Sequence, residues 1–141
     1  MPRNHVIIID GTMCALTPSG YETNAGLSYN LVCETGAACV HYEPGIQWLD
    51  WTSALEVVLG RGINEQIRRA YGVLASRYRP GDQIYLIGYS RGAYAVRSLT
   101  GVIDKVGLLR AEQATMRNIR QAYRHYQHGA DNSFASSFKD L

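Results

Sequence analysis

The stretch YLIGYSRGAYAVRSL, residues 85–99, narrows the fold more than any other part of the chain. An apolar run ends at Gly88, a serine follows two residues later, and a second glycine, Gly92, stands two residues beyond it. A helix-like run begins at once. A chain passing from strand to helix through so short a turn brings the two backbones almost into contact, so the flanking positions must be small. Ala93 extends the small stretch into the helix. This strand–turn–helix arrangement belongs to α/β folds with a parallel sheet.

The other segments fit that class. HVIIID is a continuous β-branched run and predicts a strand buried on both faces. Asn24 is placed to cap a helix reaching about Glu34, with Leu27 and Leu31 one turn apart. ACVHYE predicts a second strand and QIYLIG a third. From Ile63 to Tyr78, the residues Ile63, Ile67, Ala70, Tyr71, Leu74 and Tyr78 share one helical stripe, with Glu65, Arg68 and Arg69 outside it. RPGD stops that helix. A helix follows the serine from Arg91 to Ile103, and another follows with Met116, Ile119, Tyr123 and Tyr126 on one side. Strands alternating with helices predict an α/β class with a parallel sheet of about three strands and helices on both faces.

With 141 residues, the chain is expected to form a single domain. A net charge of +2 gives no footprint of a nucleic-acid partner. Cys14, Cys33 and Cys39 form no CxxC pair and read as reduced thiols. No apolar run is long enough to cross a bilayer, and MPRNHVIIIDGT meets an acid too soon for a signal peptide. The expectation is a protein made in the cytoplasm, with export by a signal-independent route left open.

Gly88-Tyr89-Ser90-Arg91-Gly92 fits G-x-S-x-G, in which the turn lifts the serine hydroxyl above the sheet. The N–H of Arg91 and the amino end of the following helix then face a developing oxyanion. A second donor is expected from the loop after a neighbouring strand, because loops at strand carboxyl ends share one edge. Asp10-Gly11-Thr12 suits this role. An N–H of Gly11, Thr12 or Met13 would face the substrate, and Asp10 would hold the loop by hydrogen bonds. Phosphoryl transfer of the D-x-D-G-T type is a rival for DGT, but Ile8 occupies the nucleophile position of that motif.

With these residues in hand, the chain resembles the catalytic domain of the type VI secretion lipase effectors of family one and related uncharacterised α/β-hydrolases. The matching pieces are IIIDGT, ETNAGLSYNL, VHYEPGIQW, IRQAYRHY and the long block GRGINEQIRRAYGVLASRYRPGDQIYLIGYSRGAYAVRSLTGVIDKVGLL. The family's DGTxN reads DGTMC here, so Cys14 stands in place of its Asn. The resemblance implies a serine esterase of lipase or phospholipase type, with Ser90 as nucleophile and Asp10, Gly11, Thr12 and Arg91 at the oxyanion site. It implies no cofactor and no metal. It implies an α/β-hydrolase-like parallel sheet with helices on both faces, incomplete at about three strands. It also places the triad acid and histidine after the nucleophile, so residues 1–141 are expected to be the N-terminal portion of a single catalytic domain, cut before both. The expected partners are a lipid or other ester substrate, a membrane surface, a secretion-system or immunity protein, and a second copy of the fragment. Within the chain, Asp104 and His125 or His128 make a poor substitute triad. Asp104 lies on the helix leading away from the serine. His5 is expected at the surface, and His41 as a hydrogen-bonded core residue. A serine without a base is a weak nucleophile. A module without catalysis, completed by a partner chain, is therefore the second reading.

The long connection PGIQWLDWTSALEVVLGRG carries Trp48 and Trp51. It reads either as an acyl-pocket wall or membrane-facing lid, or as a packed core segment. Arg61 would bind a substrate phosphate or hold the loop. Arg117, Arg120 and Arg124 form a basic stripe that would meet anionic lipid or simply face water.

Overall fold

The computed structural model describes residues 2–16, 22–47 and 61–129. Three strands form one parallel sheet in the order β2-β1-β3, with β1 spanning Asn4–Ile9, β2 Ala38–Glu43 and β3 Gln83–Gly88. The register is unbroken: Ile8 lies opposite Tyr42 on one side and Ile87 on the other. The strand order moves to one side of β1 and then to the other. Right-handed crossovers then put successive helices on opposite faces.

The core follows from that order. Strand side chains alternate between faces. Val6 and Ile8 pack with Ala25 of α1 (Asn24–Thr35), and Tyr29, Val32, Val40, Tyr42 and Ile87 surround them. Ile7 and Ile9 point the other way, into a larger cluster built by α2 (Arg61–Arg77), α3 (Arg91–Val106) and α4 (Met116–His128). The strand expected to be buried on both faces is buried on both, with Ile8 and Ile9 wholly covered. Ile67, Ala70, Tyr71 and Leu74 of the α2 stripe are buried as the spacing predicts. Tyr71 pins α2 to the turn after α3. Its hydroxyl donates to Gly107 O at 2.9 Å and accepts from Leu109 N at 3.1 Å. Burial pushes that phenol up to about 12.

Three expectations are corrected. Thr23, not Asn24, caps α1, its hydroxyl accepting from Gly26 N at 3.0 Å. The expected helix is present, and its face toward the sheet is Ala25, Tyr29 and Val32, a spacing of four and three, which leaves Leu27 and Leu31 exposed. Met116 is exposed; its helix buries Ile119, Ala122 and Tyr123. His5 is not a surface residue. It lies within β1 on the same face as Ile7 and Ile9, 2% exposed, with Nε2 2.9 Å from Asp82 Oδ2. His41 has the expected hydrogen bond, to Glu43 Oε1 at 2.9 Å, but its side chain is only half-buried.

Candidate functional site

All three strands end at one edge, and two turns meet there. The first leaves β1 as Asp10-Gly11-Thr12; the second leaves β3 as Tyr89-Ser90 and enters α3. Tyr89 N donates to Ile9 O at 3.1 Å, which carries the β1–β3 ladder one step past Gly88. The turns touch: a Cβ added to Gly11 would lie 2.7 Å from the Tyr89 ring and 3.3 Å from Ser90 Cβ.

The second turn is shaped by crowding. A Cβ at Gly88 would stand 2.4 Å from the carbonyl oxygen of Gly92, and one at Gly92 would stand 2.0 Å from that of Ile9. Both distances lie well inside van der Waals contact, so only glycine fits either position. Ser90 takes φ 53° and ψ −122°, the dihedrals of the first central residue of a type II′ turn, which favours glycine. Its hydroxyl is exposed and caps no helix N–H. Arg91 is the first residue of α3, and its backbone N–H meets no acceptor among the described residues.

The first turn is shaped by hydrogen bonds. Asp10 is 2% exposed and fully engaged. Oδ1 accepts from Gly11 N at 2.7 Å, and Oδ2 accepts from Thr23 Oγ1 at 2.7 Å and Tyr42 Oη at 2.6 Å. Burial and the bond to Asp10 hold the Tyr42 phenol well above its ordinary range, so it stays a donor. The loop after β2 clamps the turn from the other side: Met13 N donates to Ile46 O at 3.1 Å and Gly45 N to Cys14 O at 2.9 Å. Gly45 sits so close to the Gly11 carbonyl that no side chain fits. Glu43, at the end of β2, is buried, which alone would raise its carboxyl. Hydrogen bonds from His41 and from Arg69, the latter at 2.8 to 3.2 Å, outweigh that and lower it.

These bonds sort the donors expected from the DGT loop. The Gly11 N–H is committed to Asp10 and the Met13 N–H to Ile46. The Thr12 N–H has no acceptor among the described residues, and the Thr12 hydroxyl is buried without a hydrogen-bond partner. Cys14 donates its N–H to Gly11 O at 3.0 Å and its thiol to Thr12 O at 3.6 Å. Burial, then the charge of Asp10, pushes that thiol up, so it stays protonated. Sequence reasoning missed Thr23, Tyr42 and Gly45. A phenol one residue before the end of the strand paired to β1, and a glycine after it, were the available signals.

Residues 3–140 match the family described as "T6SS, Phospholipase effector Tle1-like, catalytic domain". The chain belongs to this family. A second comparison places this member beside uncharacterized protein YEL023C of Saccharomyces cerevisiae, 30% identical over 124 residues, covering 76% of the chain and 18% of that protein. The chain thus spans under a fifth of the length of that curated relative. No solved structure matches.

Of the remaining sequence candidates, Trp48 and Trp51 lie outside the described residues. Arg61 opens α2, and its side chain is likewise outside them. Asp104 is exposed near the end of α3, far along the helix from Ser90. His125 and His128 are on the last turn of α4. Among the described residues, no side chain hydrogen-bonds Ser90, no group of three or more His, Cys, Asp or Glu is placed to hold a metal, and no helix is long and apolar enough to cross a membrane.

Proposed function

We propose that this chain supplies the nucleophile half of a serine-dependent phospholipase or related ester hydrolase. The observation that carries the reading is Ser90. It stands exposed on a strained turn that admits only glycine on either side, against the first turn of the sheet edge. Family membership supports a lipid ester as the substrate class.

In this reading Ser90 Oγ attacks the ester carbonyl, and the carbonyl oxygen gains negative charge. The N–H groups of Arg91 and Thr12 donate to that oxygen, and the amino end of α3 adds partial positive charge. The carbonyl re-forms, the alcohol leaves, and the acyl group stays on Ser90 until water releases it. A histidine from outside the described residues takes the serine proton and hands it to the leaving alcohol oxygen, and an acid orients that histidine. The partners are those of a secreted effector: a secretion apparatus, an immunity protein and a membrane surface. Synthesis in the cytoplasm and signal-independent export belong to the same proposal.

The test is labelling of the complete natural chain with a fluorophosphonate probe, followed by fatty-acid release from phosphatidylcholine vesicles. Labelling that disappears in Ser90→Ala, together with loss of hydrolysis by roughly a thousandfold or more, is the expected result. No labelling of the complete chain would sink the enzyme and favour the module without catalysis. For that second reading the open side of β3 speaks, where Tyr85 is 48% exposed and a cleft lies between Ile84, Leu86, Thr100 and Ile103.

A further inference from the structure

Parallel strands give the sheet two unlike edges, and the amino edge, opposite Ser90, carries a cleft of about 650 Å³. Arg3 comes from the segment before β1, Arg77 from the end of α2, Arg79 from the α2–β3 turn, and Arg110 from the segment after α3. Cys39, Ser76 and Tyr78 complete one wall, and Glu112 lies on the rim. None of the four guanidinium groups forms an ion pair or side-chain hydrogen bond among the described residues. Arg77 has an ordinary explanation, since it sits in the last turn of α2, where a cation complements free carbonyls. That reason does not reach Arg3, Arg79 or Arg110.

The nearby acid does not pair with them. Asp82 spends its carboxylate on the backbone N–H groups of Arg3 and Arg79, at 2.8 and 3.0 Å, and on His5. It therefore ties the backbones of two arginines to the lip of the cleft and leaves their side chains unpaired. Glu112 is the single carboxylate among the described lining residues, so even with Asp82 at the lip positive charge remains in excess. Four planar forks around a concavity of small-molecule size match the oxygens of phosphate better than those of a lone carboxylate.

We propose that this cleft binds a phosphate-bearing anion, at a site separate from Ser90 on the opposite edge of the sheet. The chemistry is shared by a free phosphorylated metabolite and by a phosphomonoester lipid headgroup. The inference goes beyond the hydrolase reading and does not depend on it.

The experiment uses the complete natural chain carrying Ser90→Ala, so that no ester is turned over. Inorganic pyrophosphate is titrated by calorimetry. In parallel, the protein is sedimented with phosphatidylcholine vesicles with and without phosphatidic acid. Saturable pyrophosphate binding that weakens about tenfold or more in Arg79→Gln/Arg110→Gln, and stays unchanged in Arg97→Gln, an exposed cation of α3 outside the cleft, is expected for a soluble ligand. The same dependence seen only with phosphatidic acid vesicles assigns the site to a headgroup. Thermal melting followed by circular dichroism checks that the double variant folds; if it does not, Arg3→Gln is read instead. Failure of both probes to bind saturably, or equal weakening by Arg97→Gln, overturns the proposal. Labelling of Ser90 in the wild-type chain is unaffected by either result.

Discussion

The two turns at the carboxyl edge solve the same problem by opposite means. Around Asp10 the backbone is held by polar partners: one buried carboxylate gathers an N–H, a threonine and a tyrosine from three segments. Around Ser90 it is held by the absence of side chains, with Gly88 and Gly92 pressed against backbone atoms and the serine strained between them. Hydrogen bonds can be loosened in steps. Steric exclusion gives way all at once. An edge built from both keeps one rigid turn as a fixed reference and one adjustable turn against it.

The largest effect should come from breaking the rigid turn. Gly92→Ala drives a methyl to within 2.0 Å of the Ile9 carbonyl oxygen, so α3 must leave β1. A loss of about 4 kcal/mol or more is expected in urea unfolding, with soluble expression falling accordingly. Next comes the polar turn. Asp10→Ala strands three donors and should cost about 3 kcal/mol, whereas Tyr42→Phe removes a single bond and should cost about 1.5 kcal/mol. Equal losses for the two would show that the carboxylate is not the hub.

Ser90→Gly sharpens the contrast from the other direction. Glycine accepts φ 53° without strain, so the variant should be about 1 kcal/mol more stable while losing all labelling. A variant less stable than wild type would mean that Ser90 is held by contacts rather than forced by the turn.

The smallest effect concerns the amino edge. Hydrogen bonds from Arg3 N, then His5, hold the Asp82 carboxyl at about 2, below its ordinary 3.8. The folded chain therefore keeps this charge to lower pH than the unfolded chain. The stability it contributes is complete above about pH 4 and is lost as the pH falls toward 2. Asp82→Asn should flatten that part of a stability–pH curve. An unchanged slope would place the acid sensitivity elsewhere, first at Glu43, whose carboxyl is also lowered.

How far the sequence could be read followed the range of the interactions. HVIIID, ACVHYE and QIYLIG announce strands because their burial is written in consecutive residues. Gly88 was legible because the close approach it permits, to Gly92, lies within five residues; the approach of Gly92 to Ile9 O joins distant segments and was announced only by the G-x-S-x-G spacing. His5 was misplaced because its partner Asp82 is 77 positions away, and only the β1–β3 register brings them together. Leu27 and Leu31, one turn apart, marked the helix but not its buried face. The face that packs is instead chosen by where Tyr42 and Ile8 leave room for Tyr29. The Asp10 hub was half legible: the loop-holding aspartate was expected, but its partners Thr23 and Tyr42 come from other elements.

The strand order also has a consequence for biosynthesis. β1 is made first yet sits in the middle, and its second neighbour begins only at Gln83. At about 5–20 residues per second, a ribosome needs several seconds to deliver that neighbour. Throughout that interval the run Val6-Ile7-Ile8-Ile9 has one flank unpaired and is a natural point of attachment for a chaperone.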